Sequence, residues 1–103
     1  MLFRSLPTLD ALYVTRMQTE WDTAGESRAV DLSRFSVGER ELARMKRDAI
    51  VMHPLPRGAE IDPVVDQDPR AMYWRQERNG MWMRVAVLIK IFGAEAQITL
   101  PDL

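Results

Sequence analysis

An α/β fold with a short parallel sheet, a crossover helix and a long C-terminal helix is predicted by three features of this chain. Two brief and nearly continuous apolar runs, Leu9 to Thr15 and Ala49 to His53, have the pattern of parallel strands covered on both faces. A helix-start signal lies between them. A longer helical segment then closes at Gly93, the residue type that most readily ends a helix in the left-handed conformation.

The first strand, LDALYVT, leads into a polar stretch from 21 to 35, WDTAGESRAVDLSRF, which contains Gly25 and shows no sustained period. This predicts a mobile surface loop, or a loop with one short helical turn, placed to serve as a lid. Ser36-Val37-Gly38-Glu39 reads as a capping box, in which the Ser36 hydroxyl and the Glu39 carboxylate satisfy the first free amides of a helix running to about Lys46. Leu42 and Met45 share one face of it, and Lys46 and Arg47 sit at its negative end. The second strand stops at Pro54, which has no N–H to donate to a ladder. Asp68-Pro69 predicts an N-cap and a first-turn proline, opening a helix through Tyr73 to Phe92 that Gly80 can bend. Met72, Trp74, Met81, Trp82, Met83 and the apolar run after Arg84 are read as helix packing, and Arg84 as half of a structural ion pair. Arg75 and Arg78 are read as solvated. The tail from Ala94 to Leu103 has no clear pattern and is expected to be ordered poorly or by a partner.

The 103 residues suit a single domain, and 47% hydrophobic with 28% charged residues is ordinary globular composition. A formal net charge of −1 offers no basic field to attract a phosphate backbone, so nucleic acid is not an expected partner. The longest apolar run, Val85 to Phe92, is interrupted by Lys90 and is too short to span a bilayer, and the N-terminus lacks a signal-peptide pattern. A soluble, cytoplasmic protein without a membrane partner is expected. With no cysteine and one histidine, His53, neither disulfides nor a multi-histidine metal site can be built, and no metal or cofactor is predicted. No nucleophile-elbow motif supports Ser-His-Asp catalysis.

A strand–helix–strand unit with parallel strands crosses over right-handedly and places both C-terminal strand ends on one edge, where open α/β sheets bind ligands. Arg16 to Glu20 and Pro54 to Arg57 fall there. Arg16 is the first candidate for substrate contact, because its planar fork can hold a carboxylate through two parallel hydrogen bonds. The alternative is a solvated or salt-bridged surface arginine. Gln18 can offer an amide, or simply meet water; Glu20 is given no catalytic role. In His53-Pro54-Leu55-Pro56-Arg57 the prolines fix two φ angles and are expected to push the preceding residues into extended conformations. Carbonyls freed from the sheet could then accept hydrogen bonds from a ligand's NH groups, or the turn is only a rigid strand exit. His53, with no visible acidic partner, reads as a packing or turn histidine.

The segment DAIVMHPLPRGAEIDPVVDQDPRAMYWRQERNGMWMRVAVLIKIFG, Asp48 to Gly93, closely resembles the C-terminal end of aspartate carbamoyltransferase, and LYVTRMQTE, Leu12 to Glu20, resembles its aspartate-binding loop. HPLPR is followed in register by Glu60-Ile61, Asp66, DPRA, Tyr73, Gln76, Asn79-Gly80 and Arg84. Ornithine carbamoyltransferase, the nearest rival, carries a His-Cys-Leu-Pro motif and a Ser-Met-Gly stretch, both absent here. Arg16 also suits a dicarboxylate better than a cationic substrate.

The resemblance implies a partial Rossmann-like, carbamoyltransferase-type domain, with residues 1–103 forming a single C-terminal portion of the amino-acid-binding domain. It implies that Arg16 and Gln18 bind L-aspartate, and that Pro54, Leu55 and Pro56 present main-chain groups to carbamoyl phosphate. No catalytic residue is assigned. The implied reaction is attack of the aspartate amine on the carbamoyl carbon with loss of phosphate, giving N-carbamoyl-L-aspartate for pyrimidine synthesis. The family's Ser-Thr-Arg-Thr phosphate loop and His-Pro-x-Gln segment do not occur here, and the basic Lys-Glu-Arg after Gln18 reads Thr19-Glu20-Trp21. The chain is therefore expected to be a fragment, inactive alone, needing a carbamoyl-phosphate-binding half or other carbamoyltransferase subunits in an oligomer. The alternative is a non-catalytic interaction module docking onto a full-length carbamoyltransferase or another chain.

Overall fold

Two parallel strands, β1 (Ala11–Tyr13) and β2 (Ile50–Met52), pair in the register Ala11 with Ile50, Leu12 with Val51 and Tyr13 with Met52. The computed structural model describes residues 4–25 and 31–98. Both strands are shorter than the apolar runs that predict them, since the ladder lasts only from the Ile50 N–H on the Asp10 carbonyl to the Val14 N–H on the Met52 carbonyl. The other edge of β2 is also occupied. The Val51 N–H donates to the Arg70 carbonyl at 2.7 Å and the Val51 carbonyl accepts from the Met72 N–H at 2.8 Å, a parallel bridge to Ala71. No strand among the described residues pairs with the outer edge of β1.

The crossover helix α1 is a single turn, Glu39–Leu42. Its N-cap is Gly38, not Ser36: the Glu41 carboxylate reaches back to the Gly38 N–H at 3.1 Å, while the Ser36 hydroxyl donates to the Ser33 carbonyl. Val37 explains the shift. Its N–H and carbonyl are held by the backbone of Glu60 and Asp62, so the chain is extended there and helix can begin only after it. Leu42 and Met45 are both buried, as their spacing predicts. In the 21–35 region, one-turn 3-10 helices cover Thr19–Trp21 and Leu32–Phe35, and the lid expectation falls partly on residues 26–30, outside the described residues.

The core gathers Leu6, Val14, Val37, Leu42, Met45, Ala49, Val51, Ile61, Val65 and Tyr73 around the two strands. Burying an aliphatic side chain of this size contributes roughly 1.5–3 kcal/mol. Asp62 caps a 3-10 helix, Pro63–Gln67, by accepting the Val64 N–H. The long helix α2, Tyr73–Ile91, begins later than Asp68-Pro69 suggests, because a parallel bridge centred on Ala71 ties the Arg70 carbonyl and the Met72 N–H to Val51. Asp68 instead binds the Arg70 backbone and guanidinium. Gly93, at φ +60°, ends α2: the Ala94 N–H reaches the Ile89 carbonyl and the Gly93 N–H the Lys90 carbonyl, the two bonds of a Schellman motif. Glu95–Gln97 adds a last 3-10 turn, and the tail beyond 98 lies outside the described residues.

Only the first turn of α2 meets the core. Tyr73 is fully buried, whereas Trp74, Met81, Trp82, Met83, Val85, Val87, Leu88, Ile91 and Phe92 are exposed, Trp82 by 60% and Phe92 by 77%. The packing expected of these side chains is therefore not made within the chain, whose two-stranded sheet is too narrow to cover a helix of 19 residues. Arg84 likewise has no acidic partner among the described residues; the positions three and four away hold Met81, Gly80, Val87 and Leu88. Its guanidinium folds over Gly80, where an added Cβ would lie 3.5 Å from Nη1. The radius of gyration, 18.0 Å, exceeds the ~13 Å of a compact chain of about 100 residues. No helix among the described residues is long and apolar enough to cross a membrane.

Candidate substrate-binding site

The parallel register brings the two strand exits to one edge, as the sequence predicts. Val14 makes the last ladder bond of β1 and Arg16 follows two residues on; His53 and Pro54 leave β2 beside it. Gln76, from the first turns of α2, ties the exits together. Its Oε1 accepts the His53 N–H at 3.0 Å and its Nε2 donates to the Tyr13 hydroxyl at 2.9 Å.

Arg16 is partly exposed and bound in a fork to Glu20, Nη1 to Oε2 at 3.0 Å and Nη2 to Oε1 at 2.7 Å. Its hydrogen bond to Glu20 raises its pKa, and the same bond lowers that of Glu20. The pair is solvent-exposed and four residues apart, an arrangement that adds little to stability, so an incoming carboxylate can share or displace Glu20 at small cost. Glu20 thus holds the guanidinium in place. Gln18 is exposed and has no hydrogen-bond partner among the described residues.

The proline turn departs from its predicted form. Leu55 is not extended but left-handed, at φ +51°, and the Leu55–Pro56 peptide is cis. The cause lies in His53, whose Nδ1 accepts the Leu55 N–H at 2.9 Å and draws that amide inward. Because a backbone N–H can only donate, Nδ1 must carry a lone pair, and the ring proton sits on Nε2, donated to Glu60 Oε1 at 2.7 Å. His53 is therefore buried with an acidic partner that the sequence reading did not supply. The carbonyls of Pro54, Leu55 and Pro56 accept no hydrogen bond among the described residues, so three acceptors stand free at the sheet edge.

Burial alone would raise the Glu60 pKa, but the hydrogen bonds it accepts, from the Gly58 N–H at 2.8 Å and from His53, leave it lowered. Next to it, Arg57 binds Asp66, whose other oxygen takes the Tyr73 hydroxyl. Burial, and then that hydrogen bond, push the Tyr73 phenol up. The Arg57 guanidinium lies 6.0 Å from the Tyr73 ring centre and 5.9 Å from that of Trp74, and its Nη1 is buried without a partner. No group of His, Asp and Glu among the described residues has the arrangement of a metal site. One strand exit carries the Arg16 guanidinium and the Gln18 amide, and the other carries three carbonyls without partners among the described residues and the ion-paired Arg57.

The two segments thus leave a short parallel α/β sheet at the edge where open sheets of this class bind ligands. The sequence profile described as "Aspartate/ornithine carbamoyltransferase, Asp/Orn binding domain" matches residues 3–91, and the chain belongs to that family. Multifunctional protein pyr1-3 of Dictyostelium discoideum is 45% identical over 86% of this chain and 4% of its own length. The aspartate carbamoyltransferase catalytic subunit of Clostridium kluyveri is 38% identical over 88% of this chain and 30% of its own. Among solved structures, Trypanosoma cruzi aspartate transcarbamoylase in complex with N-(phosphonacetyl)-L-aspartic acid superposes with a TM-score of 0.74 at 40% identity, over 84% of this chain and 27% of that one. The same enzyme with carbamoyl aspartate and phosphate gives 0.73 at 42%, with the same coverage. The chain thus spans less than a third of the single-function relatives it matches.

Proposed function

We propose that this chain supplies the amino-acid half of an aspartate carbamoyltransferase site, with Arg16 and Gln18 binding L-aspartate. The free carbonyls of Pro54, Leu55 and Pro56 accept hydrogen bonds from the amide of carbamoyl phosphate and from the attacking amine. The observation that carries this reading is the parallel pairing of β1 and β2, which gathers both segments on one edge. A dicarboxylate fits the guanidinium by charge, and catalysis at such a site is positioning and charge stabilisation rather than covalent chemistry. Nothing among the five site residues neutralises a departing phosphate. That task falls to a carbamoyl-phosphate-binding half or another carbamoyltransferase subunit, in a cytoplasmic, oligomeric enzyme of pyrimidine synthesis with neither nucleic acid nor membrane as partner.

The test is an assay for N-carbamoyl-L-aspartate with the chain alone, with a separately produced carbamoyl-phosphate half alone, and with both. Product should form only on mixing, and Arg16→Ala should weaken aspartate use by roughly 10- to 100-fold, the worth of a charged hydrogen bond. Turnover by the chain alone would overturn the proposal.

The uncovered apolar surface of α2 and the open outer edge of β1 favour a second reading, a non-catalytic module that docks onto a full-length carbamoyltransferase or another chain. In that case Arg16→Ala leaves association unchanged and no mixture gains activity.

A further inference from the structure

His53 makes three directional contacts from a fully buried position, and together they span the turn from 53 to 60. Its N–H goes to Gln76, its Nδ1 receives the Leu55 N–H, and its Nε2–H reaches the Glu60 oxygen that also takes the Gly58 N–H. Leu55 adopts a backbone conformation that side chains with a Cβ disfavour, so a specific bond must hold it there. The bond from its N–H to Nδ1 does so.

We propose that His53 is the positioning residue of this site, holding the Pro54–Pro56 turn in the geometry that leaves its carbonyls free. A proton on Nδ1 would set two donors against each other in a buried space, and the Leu55 amide would have to turn away. The groups facing the ring are few. Glu60 lies on the Nε2 side, where it accepts the Nε2–H. Gln76, from α2, is neutral and leads on to the Tyr13 hydroxyl of β1; Arg16 is near enough for its charge to be felt by Glu60. An imidazole serves here because one nitrogen must accept while the other donates. The functional consequence rests on the reading above, that this turn meets the carbamoyl group; the geometric claim does not.

The experiment is amide exchange at Leu55, expressed as a protection factor, in the wild-type chain and in His53→Asn and His53→Leu. His53→Asn, whose Oδ1 takes the place of Nδ1, should keep the protection. His53→Leu should lose it roughly five- to tenfold, the loss of one ordinary hydrogen bond. Equal protection in all three, or a loss in His53→Asn as large as in His53→Leu, would overturn the proposal. If the leucine variant does not fold, the ring-nitrogen shifts of wild-type His53 decide: a bare, hydrogen-bonded Nδ1 is expected, and a proton on Nδ1 would overturn the proposal.

In the mixed assay, His53→Leu should raise KM for carbamoyl phosphate and His53→Asn should restore it. An unchanged KM in both would overturn the positioning role. The stated exchange pattern with no activity in any mixture would leave His53 as the holder of the turn and remove the transferase reading instead.

Discussion

Arg70 does at one spot what a helix end usually leaves to water. Its Nη1 donates to the Leu42 carbonyl at 2.9 Å, with Lys46 and Met45 carbonyls at 3.2 and 3.4 Å, so carbonyls at the end of α1 and in the turn after it gain a donor from 24 to 28 residues away. Asp68 holds the guanidinium in place, and that bond lowers the Asp68 pKa. A depressed carboxylate stabilises the fold fully above its unfolded range, near ~3.9, and that stability is lost as pH falls through the folded value. Urea midpoints of wild type and Asp68→Asn should therefore differ by a constant amount above about pH 5 and converge below about pH 4. A gap that widens in acid would contradict this account. The place of Arg16 and Pro54 at the strand exits was legible because strand ends and prolines announce themselves locally, whereas the left-handed form of Leu55 was not. Glu60, Gln76 and Arg70 were not, since each acts on a partner 7, 23 or up to 28 residues away with no period to mark the pairing.

At the scale of elements, α2 is well defined where it ends and misread where it starts. Gly93 was readable because a left-handed C-terminal residue is nearly always glycine. Replacing it with alanine at φ +60° should cost roughly 1–2 kcal/mol, read as faster amide exchange in the last turn, 89 to 94, with the exchange of Val51 unchanged. Loss of protection throughout the core would show that the helix end matters more than its exposure implies. Asp68-Pro69 carries every local mark of a helix start, yet the edge of β2 captures Ala71 in a parallel bridge. Tertiary pairing overrode local propensity there, and again at Val37, where it moved the cap of α1 from Ser36 to Gly38.

For the whole molecule, the decisive feature is an apolar helix that the chain's own core does not cover. Composition and spacing read Trp82, Leu88 and Ile91 as buried, but all three are exposed in this chain, and the pattern does not say what surface would cover them. Under the proposed function that surface belongs to the carbamoyl-phosphate half. Leu88→Lys with Ile91→Lys should leave helix content unchanged, because both side chains are exposed here, while weakening association with the other half by at least tenfold, as loss of two buried aliphatic anchors implies. Circular dichroism and a binding titration read the two effects separately, and undiminished association would place the contact elsewhere. The account as a whole turns on whether the exits of β1 and β2 meet one ligand. The most direct measurement is chemical-shift mapping of the labelled chain, reconstituted with the other half, on addition of N-(phosphonacetyl)-L-aspartic acid. Amides around Arg16 and around Leu55 should shift together and saturate at the same concentration; shifts at only one of the two segments, or at neither, would contradict the shared site.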